Sequence, residues 1–313
     1  MAFHSGFVCI LGPPNAGKST LLNALVGGKL AIISPKPQTT RNRILGIIHA
    51  AGKKGMPGGQ VVLVDTPGVH RPDTSLGRKM MAEVREALGG CELVLLITDI
   101  TRKYAPEDRF ALEMAKKAGA PVFLLLNKID LLRGSKQKLL PVIDEHRKLH
   151  DFREIIPISA RMREGLDVLL EKVIRFLPEG PHYFPEDQIT DQPVRFMVAE
   201  IIREQVLLET SEEVPYAVTV VIEEFEERAG LTRVAAAIYC EREGQKGILL
   251  GKGGHMLRKI GTAARLQMEK MLGQRVFLEL FVKVRGNWRE SHEFVEELDW
   301  RRQFEHMAGM AKP

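Results

Sequence analysis

The sequence predicts an α/β domain, with a mostly parallel sheet and helices on both faces, followed by a smaller α+β domain. Three observations predict it. Through the first half, short continuous apolar runs alternate with stretches of helical period, which is how strands buried on both faces read. Residues 177–185 hold three prolines in nine positions and no regular period, and read as a connector. Beyond it the pattern is helix, strand, strand, helix, helix, strand. A chain of 313 residues is long enough for two cores.

The first strand is 7–11, followed by a Gly/Pro-rich loop and a helical pattern over 19–25. Runs 44–49 and 60–64 flank the Gly-rich turn 51–59 and read as an antiparallel hairpin at one sheet edge. Helices 76–88, 106–117, 136–146 and 166–177 then alternate with strands 93–97, 122–126 and 155–158. In the second half, Phe196, Val198, Ile201, Ile202 and Val206 put an apolar face on a helix over 193–210. Strands 216–225 and 232–240 follow, turning at Ala229-Gly230. A short apolar helix start at 247–250, a helix over 255–272, a strand at 276–284 and an acidic terminal helix over 290–305 complete the pattern. The domain limits expected are 1–176, a connector 177–192, a second domain 193–289, and a C-terminal helix and tail 290–313.

Composition excludes several classes. Purely apolar runs such as 93–97 and 122–126 are far short of the ~20 residues needed to cross a bilayer. No basic stretch precedes the first apolar run, so no signal peptide is expected. Cys9, Cys91 and Cys240 are widely spaced, without a Cys-x-x-Cys, and read as reduced thiols in a cytoplasmic protein. The net charge of +5 is unevenly placed. Residues 193–313 carry 18 Lys and Arg against 19 Asp and Glu, so the +6 lies in 1–192, yet 246–289 alone holds ten basic and two acidic residues. A basic segment confined between acidic flanks points to a polyanionic partner.

The loop Gly12-Pro13-Pro14-Asn15-Ala16-Gly17-Lys18-Ser19-Thr20 fits GxxxxGK[ST], a pattern with about 0.01 expected chance matches here, and it lies between a strand and a helix. Glycines let backbone N–H groups wrap a polyphosphate at a helix N-terminus, so Asn15, Ala16, Gly17, Lys18, Ser19 and Thr20 would line the phosphates. Lys18 would neutralise the β and γ phosphates and the Ser19 hydroxyl would ligate Mg²⁺. Asp65-Thr66-Pro67-Gly68 ends the third strand. DxxG arises about once by chance, and its position at a strand's C-terminal end gives it weight. Asp65 would hold Mg²⁺ through water and the Gly68 N–H would sense the γ-phosphate. Asn127-Lys128-Ile129-Asp130 closes the strand 122–126. A carboxylate at Asp130 accepts from both N1–H and N2–H₂ of guanine, a pair adenine lacks, which selects GTP over ATP. Ser159-Ala160 ends the next strand, where backbone would meet the guanine O6.

With four motifs in this order, residues 6–175 resemble a GTPase domain of the translation-factor-related class. Pro37-Gln38-Thr39-Thr40-Arg41 is similar to the first switch of the Era family, where a threonine closes on Mg²⁺ when GTP is bound; Thr40 is the expected one and Thr39 the second candidate. The αββααβ order, with Gly251-Lys252-Gly253-Gly254 between its central helices, resembles a type II KH domain. Bare GxxG occurs about 2.5 times by chance, so its weight comes from this context and from the basic segment around it. Glycines there would admit a nucleic-acid backbone, with Lys252 on phosphate and a groove of Ile248, Leu249, Met256 and Ile260 for unstacked bases. Gly251, Gly253, Gly254, Met256, Arg258, Lys259, Lys283 and Arg285 complete the expected RNA face. Trp288 is expected to anchor the last strand, and low aromatic content argues against a base-stacking sheet.

An α/β P-loop GTPase domain followed by an α+β type II KH domain resembles the Era family over nearly the whole chain, helped by Val282-Lys283-Val284 before Trp288-Arg289. The resemblance implies GTP and GDP as ligands, Mg²⁺ held by Ser19, Thr40 and Asp65, and a GTPase that binds small-subunit ribosomal RNA near its 3′ end and assists 30S subunit assembly. It further implies, for some members, peripheral contact with the inner face of the cell membrane. A monomer is expected. Val69 stands where Ras-like enzymes carry the glutamine that orients water, so slow hydrolysis is expected. Lys18, Thr40, Gly68 and Asn15 are the residues expected to act in it, Asn15 as the K⁺ ligand found in relatives with the same Pro-Asn. His70 reads as a surface histidine. Two other readings compete: a P-loop phosphotransferase, against which Asn127 to Asp130 argue, and a constitutive RNA-binding protein with a structural nucleotide site, against which Lys18, Ser19, Thr40 and Asp65 argue.

Overall fold

The computed structural model describes residues 2–53, 55–132 and 139–301. Two compact units form. The first comprises Met1–Ala31, Thr40–Arg71 and Met80–Asp191; the second comprises Ile32–Thr39, Pro72–Lys79 and Gln192–Pro313.

In the first unit, apolar runs become six strands: β1 (Phe3–Leu11), β2 (Ile44–Ala50), β3 (Gly58–Asp65), β4 (Leu93–Asp99), β5 (Val122–Asn127) and β6 (Glu154–Ile158). Their spatial order is β2-β3-β1-β4-β5-β6. Only β2 runs antiparallel, paired with β3, as the Gly-rich turn predicts. On β1, Val8 and Ile10 join a core with Leu21 and Leu22 of α1 (Lys18–Val26) and with Leu169, Val173 and Ile174 of α5 (Leu166–Phe176). The alternate residues Cys9 and Leu11 are buried too, so neither sheet face meets water. Helices α2 (Ser75–Gly89), α3 (Pro106–Ala118) and α4 (Leu139–Arg147) complete the alternation; the part of the expected 136–146 helix before residue 139 lies outside the described residues. Strand order reverses around β1, which puts the loops after β1, β3 and β5 at a switch point where open α/β sheets bind ligands.

The stretch 177–191, expected as a connector, is laid along this same unit. Ser5 N–H donates to the Pro178 carbonyl (3.0 Å) and Ile47 N–H to the Ile189 carbonyl (2.9 Å). Gln60, wholly buried, accepts from the Tyr183 and Phe184 N–H groups and donates to the Phe184 carbonyl. Absence of periodicity marked irregular backbone, and the hydrogen bonds that fix it come from elements distant in sequence.

In the second unit, α6 (Val194–Glu209), β7 (Thr219–Arg228), β8 (Leu231–Cys240), α7 (Glu243–Leu250), α8 (His255–Leu272) and β9 (Arg275–Val284) follow the expected αββααβ order. The sheet order is β7-β8-β9, with β7/β8 antiparallel and β8/β9 parallel. Its inner face buries Val234, Ala236 and Ile238 against Val198, Ile202, Ile260 and Met268. Trp288 is fully buried and its indole N–H reaches the Ala217 carbonyl (2.8 Å), the expected anchor. The acidic terminal helix is shorter than expected: α9 spans His292–Glu297, with Phe294 edge-on to Tyr239 and Trp288, and residues 302–305 lie outside the described residues. Among the described residues no helix is long and apolar enough to cross a membrane.

Candidate functional site

The loop between β1 and α1 is tight enough to dictate its residues. A Cβ on Gly12 would lie 2.4 Å from the Ile97 carbonyl, and one on Gly17, at φ 104°, would lie 2.3 Å from the Asn127 amide nitrogen. Asn15 takes a left-handed φ of 60°. The loop ends on the N-terminus of α1, where N–H groups without intrahelical partners favour an anion. Lys18 is buried and folds back over the loop, donating to the Gly12 and Pro13 carbonyls at 3.0 and 2.9 Å. Burial lowers its pKa to about 8, partly opposed by the Asp65 carboxylate.

Three oxygens converge beside it. Ser19 Oγ lies 2.8 Å from Thr40 Oγ1 and donates to Asp65 Oδ2 at 2.7 Å. The Thr39 hydroxyl instead donates to the Lys36 carbonyl (2.6 Å), so of the two candidate threonines Thr40 faces Ser19. Asp65 is fully buried and its second oxygen, Oδ1, has no hydrogen-bond partner. Burial raises its pKa to about 6 against the pull of Lys18 and Ser19. An unneutralised carboxylate beside two hydroxyls suits a hard divalent cation such as Mg²⁺. Among the described residues no cluster of three His, Cys, Asp or Glu could hold a metal, so any cation here depends on these hydroxyls.

The turn after β3 sits on the loop: a Cβ at Gly68 would come within 3.0 Å of Pro14 Cα. Val69 is wholly buried, its N–H donating to the Gly12 carbonyl, and its side chain has no group that could hydrogen-bond water. His70 is less free than a surface histidine, with Nδ1 2.9 Å from the Gly68 carbonyl and a buried Nε2.

At the base end, Asn127 ties loops together. Its amide donates to the Ala16 carbonyl (2.8 Å) and its carbonyl accepts from Ala160 N–H (3.0 Å). Of the Ser159-Ala160 backbone expected to meet guanine O6, the Ala160 N–H is therefore already engaged. Asp130 accepts from Ser159 Oγ at 2.6 Å and keeps its carboxylate exposed. Lys128, at φ 71°, lies 2.5 Å from Asp99 Oδ2. Burial alone would raise the Asp99 pKa, but bonds from Lys128 and Thr101 hold it below the ordinary carboxylate value. Sequence reasoning missed Asp99; its position at the C-terminal end of β4 was the available signal.

In the second unit, α7 ends on Gly251 at φ 67°, ψ 173°, where a Cβ would lie 2.8 Å from Met256 Cβ. Gly253 and Gly254 also have positive φ, with open space around them. Lys252, Arg258 and Ile248 are exposed beside them, and Met256 is partly buried. Leu249 and Ile260, expected in the groove, are core residues with no exposure, because they fall on the inward faces of α7 and α8. Several expected RNA contacts already have partners: Lys259 is paired with Glu209, Lys283 with Glu223, and the Arg285 guanidinium stacks 3.9 Å from the Phe294 ring centre. Phe277 and Phe281 stand half-exposed on the outer face of β9, so low aromatic content does not leave that sheet bare of aromatics.

Comparison with known proteins gives this arrangement a family. A family model described as 50S ribosome-binding GTPase matches residues 7–128, and a KH-domain model matches residues 213–289. The GTPase Era of Syntrophus aciditrophicus is 48% identical over 95% of each chain, and that of Ruminiclostridium cellulolyticum 46% identical over 96% of this chain and 99% of its own. This chain belongs to the Era family of GTPases. Two solved Era structures agree with it at a TM-score of 0.90, each covering 95% of this chain and 99% of its own. One, from Aquifex aeolicus and 40% identical, is bound to GDP and AlF₄⁻; the other, 39% identical, is in complex with MgGDPNP and nucleotides 1506–1542 of 16S ribosomal RNA. Like those relatives, this Era-family chain joins a P-loop GTPase domain to a KH domain, and it hydrolyses GTP.

Proposed function

We propose that this Era-family GTPase binds small-subunit ribosomal RNA through its KH unit under control of the bound nucleotide, and acts in assembly of the small ribosomal subunit. One observation carries the reading: a relative alike over 95% of this chain binds MgGDPNP and a 16S ribosomal RNA segment together. The reaction moves the γ-phosphoryl group of GTP to water, giving GDP and phosphate. Lys18 donates to the phosphate oxygens in place of the Gly12 and Pro13 carbonyls, and the N-terminus of α1 adds backbone donors. Asp130 selects guanine, with Ser159 holding its carboxylate in place. Ser19 and Thr40 would hold Mg²⁺ through their hydroxyls and Asp65 would hold it through water. When bound, that ion neutralises charge across the β and γ phosphates. With Val69 buried, no side chain at that position orients the attacking water, and intrinsic turnover is slow.

Asn15 is further proposed as a K⁺ ligand; equal hydrolysis rates in Na⁺ and K⁺ would remove that assignment. The switch itself is tested by measuring affinity for a 16S 3′-end oligonucleotide with GTP analogue, GDP and no nucleotide, for the native chain and Lys252→Glu. Nucleotide-dependent affinity with a large loss in the variant is expected. Affinity indifferent to nucleotide would favour a constitutive RNA binder with a structural nucleotide site.

A further inference from the structure

Lys128 stands between Asn127, which ties the loops together, and Asp130, whose carboxylate stays exposed. Its backbone is left-handed, at φ 71° and ψ 34°, a conformation that costs a residue with a side chain free energy and recurs at ligand clamps. Its ammonium is held as well. Nζ lies 2.5 Å from Asp99 Oδ2, and Asp99 is 9% exposed against 30% for the lysine. The carboxylate is aimed from its other side, where Oδ1 accepts the Thr101 N–H at 2.9 Å and the Thr101 hydroxyl at 2.6 Å. β4 and β5 run parallel with Asp99 opposite Asn127, and the Ile100 N–H donates to the Asn127 carbonyl at 3.3 Å. Three donors thus converge on one carboxylate at the C-terminal edge of the sheet. An ion pair with a partly exposed lysine adds little to folding stability, so stability alone does not account for this much fixing. What the bonds fix is a direction. With Cα at the end of β5 and Nζ at the end of β4, the four methylenes of Lys128 span the edge between them, an apolar strip with a charged tip.

We infer that Asp99 is a positioning residue for the guanine site: by holding the Lys128 ammonium, it keeps that apolar strip against the flat face of the base while Asp130 takes the base's N–H edge. The inference rests on the reading of Lys128 and Asp130 as base-end residues. A purine has a polar edge and an apolar face, and a site that reads only the edge leaves the ring free to tilt. A wall fixed before the nucleotide arrives removes that freedom without a further ordering cost on binding. Thr101 acts one step further out, by aiming Asp99. The base is common to GTP and GDP, so both nucleotides gain alike.

Asp99→Asn in the full chain keeps the shape of the side chain and an acceptor for Thr101, and removes the charge that Lys128 meets. Titrated with fluorescent GDP and a fluorescent non-hydrolysable GTP analogue at fixed Mg²⁺, it is expected to lose about tenfold in affinity for both, through faster dissociation. Lys128→Met keeps an unbranched apolar stem without the charge. The double variant is expected to bind no more weakly than Lys128→Met alone, since Asp99 acts only through that lysine. Additive losses in the double variant overturn the inference, and so does a loss confined to the analogue, which marks the phosphate end. Thr101→Val, at an exposed position, serves if Asp99→Asn does not fold. It is expected to lose about threefold for both nucleotides in the native chain and nothing in the Lys128→Met background. Asp130→Ala is the control for the underlying reading. If it loses GDP affinity while Asp99→Asn and Thr101→Val keep theirs, the positioning is wrong and the base-end reading stands. If Asp130→Ala binds GDP as the native chain does, there is no base edge to align, and both fall.

Discussion

Asp65 concentrates the conflict between stability and chemistry. Its folded pKa of about 6 lies above the ordinary 3.8, so the ionised carboxylate opposes folding. The cost is fully present above about pH 6 and disappears as the pH falls below 3.8. A shift of about two units corresponds to about 3 kcal/mol. Asp65→Asn is therefore expected to raise the melting temperature of the nucleotide-free protein at pH 7 while weakening Mg²⁺ binding; a lower melting temperature would contradict this account. A proton on Asp65 removes the charge that would hold Mg²⁺ through water, so apparent Mg²⁺ affinity should fall as the pH drops below about 6. Lys18 works in the opposite sense. Its lowered value of about 8 means that the free protein loses this charge above pH 8, and GTP binding measured calorimetrically there should take up a proton. Gly251 is a steric case. Gly251→Ala forces a Cβ to 2.8 Å from Met256 Cβ at a φ of 67°, and is expected to destabilise the second unit by roughly 1–3 kcal/mol and weaken RNA binding with it.

Elements of the first unit do their work at one end. β1, β3 and β5 stop at Leu11, Asp65 and Asn127, and the Gly12–Lys18 loop, the Asp65–Gly68 turn and the Asn127–Asp130 segment lie there. A parallel sheet makes that convergence automatic, since all its C-terminal ends point one way. This is why motifs 50 to 110 residues apart could be assigned to one site from the sequence. Legibility failed where an element's role depended on what covers it. The 177–191 stretch carries no period, and only its bonds to Gln60, Ser5 and Ile47 show that it belongs to the first unit. Gln60→Ala would strip partners from three backbone groups of Tyr183 and Phe184, and is expected to cost about 1–2 kcal/mol and to open that stretch to limited proteolysis. Unchanged cleavage would mean that the stretch is held by its other contacts.

At the scale of the molecule, the ten basic residues of 246–289 overstate the charge offered to RNA. Four are ion-paired within the unit, Lys259, Arg265, Lys283 and Arg289, and Arg285 stacks on Phe294. With at most about five left for phosphate, the logarithm of RNA affinity should fall with the logarithm of salt at a slope of about −3.5 or shallower. Ten contacts would give about −7. A slope near −7 would mean that these pairs open on binding and that the free protein misrepresents the interface.

By itself the sequence determined the fold class, the order of elements, the glycine-rich loop between β1 and α1, the place of Asp130 beyond β5 and the second domain's topology. These are written in local patterns, because periodicity, glycine spacing and strand ends are properties of neighbouring residues. Only the tertiary structure decided that Thr40 and not Thr39 faces Ser19, that Leu249 and Ile260 are core, and that Asp99 holds Lys128. Each of those is a choice between residues of equal local promise. It is settled by burial and by hydrogen-bond partners that lie 21 and 29 residues away in the chain.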